Sequence, residues 1–229
     1  MVDFLSEHPP TFWFADGSSL CGNEYVELRR RPVPFARDRI IDWVWTGTDI
    51  RTESQGALRD PTSIQFRVIQ ELMSRPFTVV YDDDDHGESA VVVAIAEHPD
   101  HLEVEFWHCK YSTEDKPGHR IKELYEVCGQ AQKSIRWLDK PRDLFSHLLR
   151  RDPRNHAGAQ HSRYQRGDKS DLLPIREKAN SQRLLLRVFI VQPGASKAQL
   201  TAEQLELLAV TENYLMETYC VPFGVVAIP

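Results

Sequence analysis

Apolar residues recur along this chain with two spacings, one typical of helices and one typical of strands. Helical spacing is clearest over residues 119–138 and is also present over residues 61–74. The helix predicted over residues 61–74 has Asp60 as a capping residue and Pro61 at its first position. A last helix is predicted from Thr201 to about residue 219, because Thr201 and Gln204 have the spacing of a capping box.

Strands are predicted where apolar residues alternate or form short runs between turn residues. The predicted strands are Phe77 to Tyr81, Ala90 to Ala96, Glu103 to Ser112, Leu184 to Val191 and Phe223 to Ile228. Residues 1–60 combine short apolar runs with turn residues, which predicts a strand-rich extension before a core at 61–229. The fold class is therefore mixed α/β, with residues 90–96 at the centre of a mixed sheet flanked by helices.

The strand EVEFWHCKYS (103–112) ends on basic residues. His108 and Lys110 share one face with the apolar residues Val104 and Phe106, because alternate side chains of a strand point the same way. Either the row has left the core and its polar ends reach water, or these two residues form part of a site.

Composition narrows the class of protein. No apolar run approaches the roughly 20 residues of a membrane span, and the amino terminus lacks a secretion signal, so a cytoplasmic protein without a membrane partner is predicted. The four cysteines form no CxxC pair, which argues against a zinc knuckle or a disulfide framework. The formal net charge of -6 argues against indiscriminate coating of nucleic acid.

Residues 150–183 form a basic segment, with nine basic and four acidic residues in an otherwise acidic chain. The segment is predicted to be a long exposed connection with one short helix near 171–179. It is either a solvated loop or a flap that contacts phosphates. The arginines of such a flap are Arg151, Arg154, Arg163 and Arg166.

The predicted order of elements from Pro61 onward resembles the PD-(D/E)XK nuclease core. In that family a carboxylate on the second strand and an acidic-x-lysine pair on the third strand hold a divalent metal beside the scissile phosphate. The resemblance implies that His108, Cys109 and Lys110 occupy the acidic-x-lysine position and that the chain binds Mg²⁺ or Mn²⁺. Lys110 then orients the water or the phosphate.

A second resemblance covers nearly the whole chain. It rests on FWFADGSSL, SIQFRVIQEL, HCKYS, PGHRIKELYEVCGQAQKSIRW, IVQPGASKAQL and LLAVTENYLMETYCVPF. These segments are similar to a domain of bacterial helicase-associated proteins, many of them encoded in phage-defence loci. The resemblance implies a nuclease-like fold, a helicase partner or domain, and nucleic acid as substrate, with DNA favoured over RNA.

Two positions depart from the nuclease pattern. His108 stands where glutamate or glutamine is usual, and imidazole suits manganese, zinc or iron better than magnesium. Val91 stands where the second-strand aspartate is expected, within an apolar run typical of a strand buried on both faces. Three interpretations follow: catalysis is lost, an engineered substitution has removed it, or neighbouring groups rebuild the metal site.

Several groups can replace the missing ligand. Glu88 lies just upstream, Asp82 to Asp85 crowd the preceding turn, and His108 or the Cys109 carbonyl can contribute from the third strand. Glu53 and Glu71 are further carboxylates near the first core helix. The four aspartates, with Asp85 nearest Glu88, equally fit a solvated turn or a like-charge cluster that attracts any cation.

The helix over 119–138 also has polar candidates. Tyr125, Gln132 and Arg136 flank its apolar stripe, and Gln130 and Lys133 lie on its other sides. The nuclease resemblance implies that this helix lines the cleft, with Gln132 bonded to a phosphate or the attacking water. The alternative is a polar helix face in solvent.

Together these observations predict a metal-dependent nuclease-like domain that acts on nucleic acid. The alternative is a catalytically silent module that binds nucleic acid or protein while a helicase partner does the work. A hydrolase built on Cys109 and His108 is disfavoured, because neighbours in a strand point to opposite faces.

Overall fold

The structure of this chain is a computed structural model that describes residues 2–27, 33–85 and 87–229. The chain divides into two compact units, Met1–Val33 and Pro34–Pro229. Residues 34–60, grouped with the amino-terminal extension from the sequence, lie in the larger unit.

The smaller unit consists of a short helix and a three-stranded antiparallel sheet. Its elements are α1 (Val2–Glu7), β1 (Thr11–Trp13), β2 (Ser19–Cys21) and β3 (Glu24–Val26). Asp16 closes the β1–β2 turn, because its Oδ1 accepts hydrogen bonds from the amide and the hydroxyl of Ser18 at 2.9 and 2.6 Å.

The larger unit is built on a seven-stranded sheet. Its strands are β4 (Ile41–Asp42), β5 (Val79–Asp82), β6 (Val92–Glu97), β7 (His101–Cys109), β10 (Tyr164–Arg166), β11 (Arg183–Ser196) and β12 (Phe223–Ile228). A separate hairpin is formed by β8 (Arg154–His156) and β9 (Ala159–His161). The helices are α2 (Ile64–Met73), α3 (Lys122–Lys133), α4 (Pro141–Arg151), α5 (Lys169–Lys178) and α6 (Ala202–Tyr219), with 3₁₀ turns at Arg37–Arg39 and Ser134–Trp137.

The strand order in the sheet is β10-β5-β6-β7-β11-β12-β4. Strands β10, β5, β6 and β7 are antiparallel neighbours, whereas β7, β11, β12 and β4 run parallel. The mixed α/β class with a mixed, helix-flanked sheet is therefore confirmed. Strand β7, and not the predicted strand at 90–96, lies in the middle, with β6 beside it in the interior.

Two apolar clusters cover the two faces of the sheet. Val93 and Phe106 pack on the side of α3, whereas Val92 and Trp107 pack on the side of α2. Each fully buried side chain of this kind contributes about 1.5–3 kcal/mol relative to exposure. This alternation sets which residues at the end of β7 reach α3.

Helix starts follow the capping chemistry of the sequence. The capping box of Thr201 and Gln204 at the start of α6 is confirmed. Helix α2 begins later than predicted, because Ser63 caps it by accepting from the Phe66 amide at 3.1 Å. Asp60 instead closes the preceding turn by accepting from the Thr62 amide at 2.9 Å.

The basic segment at 150–183 is not the long exposed connection that the sequence predicted. It contains the end of α4, the β8–β9 hairpin, β10 and α5. Strand β10 pairs with β5 and extends the main sheet, with Tyr164 opposite Tyr81. Among the described helices, none combines the length and the apolar character that a membrane crossing needs.

Candidate functional site

His108 and Lys110 both face α3, as the strand alternation predicted. His108 Nε2 lies 2.6 Å from Ser134 Oγ in the 3₁₀ turn that follows α3. Lys110 Nζ lies 3.1 Å from Oε2 of Glu126 on α3. Cys109 is buried in the apolar cluster on the α2 side, so its thiol and the His108 ring are on opposite faces.

A cavity of about 460 Å³ opens beside His108. It lies between the β5–β6 connection, the end of β7 and the end of α3. Its lining residues are Asp85, Gly87, Glu88, Ser89, His108, Gln130, Lys133 and Arg136. The structure therefore brings together four of the predicted site residues, Asp85, Glu88, His108 and Arg136, with Gln130 and Lys133 of the same helix region.

His108 is an uncharged, incompletely bonded group in the wall of this cavity. It is 2% exposed, and burial lowers the pKa of its imidazole to about 3. Its Nδ1 atom has no hydrogen-bond partner among the described residues. When Nε2 donates its proton to Ser134, Nδ1 presents a lone pair that can accept a hydrogen bond or bind a metal.

Glu88 is the partly buried carboxylate of the cavity. Burial, followed by the charges of Asp84, Asp83 and Glu53, raises the pKa of Glu88 to about 7. Its backbone carbonyl accepts a hydrogen bond from Arg136 at 3.1 Å, which fixes this loop against the end of α3. A carboxylate surrounded by other carboxylates attracts a cation.

Lys110 has two carboxylate partners and does not line the cavity. Its Nζ lies 3.6 Å from Glu53 Oε2 as well as 3.1 Å from Glu126, and 4.6 Å from the centre of the Tyr111 ring. Burial lowers the pKa of Lys110, but Glu53 and Glu126 outweigh it and the net shift is upward. Lys110 is therefore a charged residue held between the β7 end and α3. Glu71, the other distant carboxylate, pairs with Arg67 on α2 at 3.2 Å.

Val91 is a core residue that does not face His108. It is fully buried in the cluster on the α2 side, together with Val92. Its carbonyl accepts from Gln65 Nε2 at 3.3 Å and from the Asp83 amide at 3.2 Å. Because Val91 and Val92 both lie on the α2 side, the regular alternation breaks at Val91, and a carboxylate there would point into apolar side chains.

The turn of four aspartates is partly buried, and arginines pair with the carboxylates of Asp82, Asp83 and Asp85. Asp82 accepts from Gln55 and Gln65 at 2.9 and 2.8 Å and pairs with Arg154 at 3.2 Å. Burial raises the pKa of Asp82. Asp83 pairs with Arg151 at 2.5 Å. The interpretation of a solvated turn is therefore wrong for these two residues, which are 3% and 0% exposed.

The arginines predicted to contact phosphates bond to this same turn or to nearby backbone. Arg163 donates to the carbonyls of Asp84 and Arg151 at 2.8 and 2.9 Å and is 5% exposed. Arg154 donates to the Asp84 carbonyl, and Arg166 donates to the carbonyls at the end of α2, including Arg75 at 2.5 Å. All four guanidinium groups therefore have bonding partners within the protein. That these arginines bind nucleic acid stays a prediction.

Two predicted residues of α3 lie away from the cavity lining. Gln132 Nε2 donates to Thr211 Oγ1 on α6 at 3.2 Å. Tyr125 is 68% exposed. Arg136, which does line the cavity, lies in the 3₁₀ turn after α3 with its guanidinium 4.8 Å from the Trp137 ring centre. Sequence reasoning missed Ser134, whose role depends on a contact across the fold that no local spacing signals.

A second cavity of about 420 Å³ adjoins the first and shares Gly87 and Arg136 with it. Its other lining residues are Trp137, Lys140, Asp143 and His147. The basic side chains Lys133, Arg136 and Lys140 thus lie on two adjoining cavities, and their positive charge suits an anionic ligand.

The predicted ligands do not form a preassembled metal site. Among the described residues, the only group with three ligand atoms within 4.8 Å of one another is His98, His101 and Glu103, at the opposite end of β7 from His108. Glu88 and His108 share the cavity without a third protein ligand at that spacing. A metal in this cavity would therefore need oxygen atoms from water or substrate.

No family model, no curated protein and no solved structure matches this chain.

Proposed function

We propose that the cavity beside His108 is a phosphodiester site of a metal-dependent nuclease-like domain that acts on nucleic acid, with DNA favoured. One observation carries the proposal: Glu88 and buried His108, whose Nδ1 has no hydrogen-bond partner among the described residues, line the same cavity as Lys133 and Arg136. A carboxylate and an imidazole can bind a divalent cation, and the adjacent positive charges can bind a phosphodiester beside it.

The residues fit a metal that is held jointly with its substrate. Magnesium commonly takes one or two protein carboxylates and completes its shell with water and substrate phosphate. Glu88 and Nδ1 of His108 would hold the ion, and the imidazole favours Mn²⁺ over Mg²⁺. When bound, the ion would supply charge neutralisation and an activated water. Lys133 and Arg136 bind the phosphate, and Lys110 keeps its place at the end of β7 through Glu53 and Glu126.

The arrangement of elements also supports this proposal. Helix α2, strands β5 to β7, helix α3 and then β11, α6 and β12 follow the order that the PD-(D/E)XK resemblance implies. Strand β7 lies between β6 and β11, so His108 and Lys110 lie at the end of an interior strand. The proposed helicase partner and phage-defence context rest on the resemblance of the sequence segments alone.

Cleavage of a plasmid and of a single-stranded circle, each with Mg²⁺ or Mn²⁺, tests the proposal. We expect cutting by the parent, stronger with Mn²⁺, and loss of cutting but not of DNA binding in Glu88→Gln. Glu206→Gln, at an exposed position of α6, is the matched control and should cut as the parent does. Equal cutting by Glu88→Gln and the parent would remove the active site from this cavity.

The second candidate function is a catalytically silent nucleic-acid-binding module. The core position of Val91 and the lack of a third close ligand among the described cavity residues favour it. In that case the parent binds DNA without cutting it, and chelation of divalent ions leaves the affinity unchanged. A parent that binds no nucleic acid at all would contradict both candidates.

A further inference from the structure

The turn between β6 and β7 gathers two histidines and a glutamate far from the proposed nuclease site. His98 and His101 flank the turn, whose centre is Pro99 and Asp100, and the His98 amide donates to the His101 carbonyl at 3.0 Å. Proline at the first central position stiffens such a turn. Glu103 lies two residues beyond His101 and so on the same face of β7.

The three side chains have the separations of a metal-ligand set. One ligand atom from each lies within 4.8 Å of the other two. His98 Nε2 lies 3.4 Å from Glu103 Oε2. Two ligands bound at about 2.0–2.1 Å in tetrahedral geometry stand roughly 3.4 Å apart, so this pair is already at coordination distance. The imidazole rings are stacked with centres 4.4 Å apart, and a rotation of these partly exposed side chains directs both nitrogens to one ion.

Neighbouring charges orient these ligands. Asp100 Oδ1 lies 2.7 Å from His101 Nδ1, which leaves Nε2 of that ring for a metal. This carboxylate–imidazole pairing is the usual support of a metal-bound histidine. Arg187 lies 3.3 Å from Glu103 Oε1, so that Oε2 is the oxygen turned towards His98. His98 Nε2 is shielded from solvent and has no hydrogen-bond partner among the described residues.

We propose that His98, His101 and Glu103 bind a divalent transition-metal ion of the Zn²⁺ type, with water as the fourth ligand. Two imidazoles and one carboxylate select such ions over Mg²⁺ and Ca²⁺. The ion joins the end of β6 to the start of β7 and acts as a structural clasp on this hairpin. The proposal does not depend on the nuclease function, because the two sites lie at opposite ends of β7.

Calorimetric titration of the metal-free full chain with Zn²⁺ tests the clasp. The double variant His98→Ala with His101→Ala should lose one Zn²⁺ per chain, or bind that ion at least about 100-fold more weakly. The matched control is His156→Ala with His161→Ala, which removes a histidine pair from the β8–β9 hairpin with rings 6.2 Å apart. This control should keep the site and the rise in melting temperature that Zn²⁺ causes.

Asp100→Asn provides a variant that leaves all three ligands in place. It should weaken Zn²⁺ binding by about 10–100-fold, because the His101 ring loses its orienting carboxylate. If the double histidine variant fails to fold, this variant decides the matter, and an affinity equal to that of the parent would overturn the proposal. A parent without a Zn²⁺ site, or a folded double variant that binds as the parent does, would overturn it as well.

Discussion

Ser134 Oγ lies 2.6 Å from Nε2 of His108 and joins the 3₁₀ turn after α3 to the end of β7. Both residues are buried, at 1% and 2% exposure. This hydroxyl is the hydrogen-bond partner of His108 Nε2, whereas Nδ1 has no partner among the described residues, so the contact with Ser134 fixes the orientation of the ring.

Removal of this hydroxyl should destabilise the fold. Ser134→Ala leaves a buried imidazole without its partner, which costs about 1–3 kcal/mol. Urea unfolding of the variant measures this change, and Ser181→Ala, at an exposed hydroxyl, should fall within about 0.5 kcal/mol of the parent. Equal stability of Ser134→Ala and the parent would show that water replaces the hydroxyl at no cost.

The stability of the chain should depend on pH through Glu88. Its pKa rises on folding from 4.5 to about 7, so the folded state holds the proton more tightly than the unfolded state. The associated stability is present below pH 4.5 and is lost as the pH rises through 7. Glu88→Gln should therefore match the parent near pH 4.5 and exceed it above pH 7, by about 1–2 kcal/mol after solvent screening.

Thermal unfolding of the parent and of Glu88→Gln across this pH range measures the difference. Addition of Mn²⁺ at pH 8 should raise the melting temperature of the parent more than that of Glu88→Gln, if the carboxylate binds the ion. A difference between the two proteins that does not vary with pH would contradict the shifted pKa of Glu88.

Arg151 and Arg150 are neighbours on α4 with different surroundings. Arg151 pairs with fully buried Asp83 at 2.5 Å, whereas Arg150 is exposed. Arg151→Ala should cost about 3 kcal/mol, because Asp83 loses its closest cation. The melting temperature should fall by roughly 10 °C, and Arg150→Ala should leave it nearly unchanged. An unchanged melting temperature together with weaker DNA binding in Arg151→Ala would instead support the phosphate-contact hypothesis.

Val91→Asp should destabilise the protein by several kcal/mol. The new carboxylate would lie among apolar side chains on the α2 side, with Gln65 already engaged by the Val91 carbonyl and by Asp82. Comparison with Val91→Ala separates the cost of the charge from the cost of lost packing. We expect the metal-dependent rise in melting temperature to be no larger than in the parent, and a larger rise in Val91→Asp would contradict the core assignment of Val91.

Lys133 should contribute directly to the salt dependence of DNA binding. It is exposed at the rim of the cavity and has no ion pair with the described residues. Lys133→Ala should lower the slope of log affinity against log salt by about one. Lys169→Ala, at an exposed position of α5, is the control with an unchanged slope. Equal slopes for the two variants would place the nucleic acid elsewhere.

The sequence was informative where a single element contains the whole signal. The capping box at Thr201 depends on residues three apart, and the shared face of His108 and Lys110 depends on strand alternation alone. Both were predictable because the relevant geometry is local.

The remaining features depend on contacts between distant segments. Strand β10 has three residues, too few for a periodic pattern, and its pairing with β5 joins residues that are far apart in the chain. Val91 lies in a run whose side chains are apolar on both faces of the strand. A break in the alternation of faces therefore does not change the pattern of polar and apolar residues in the sequence. The arginines of the basic segment predicted binding to phosphates of a ligand. In the structure, three of them pair instead with carboxylates of the aspartate turn in the same chain.

The position of β10 has a consequence for the order in which the chain completes its fold. During synthesis, β5 and its aspartate turn emerge well before the strand that covers the outer edge of β5 and the arginines that neutralise the turn. Until residue 166 is in place, an edge of the sheet has unpaired backbone groups, which are a template for pairing with other chains. A fragment that ends before α4 should therefore aggregate, even though it contains the whole β5–β6–β7 meander.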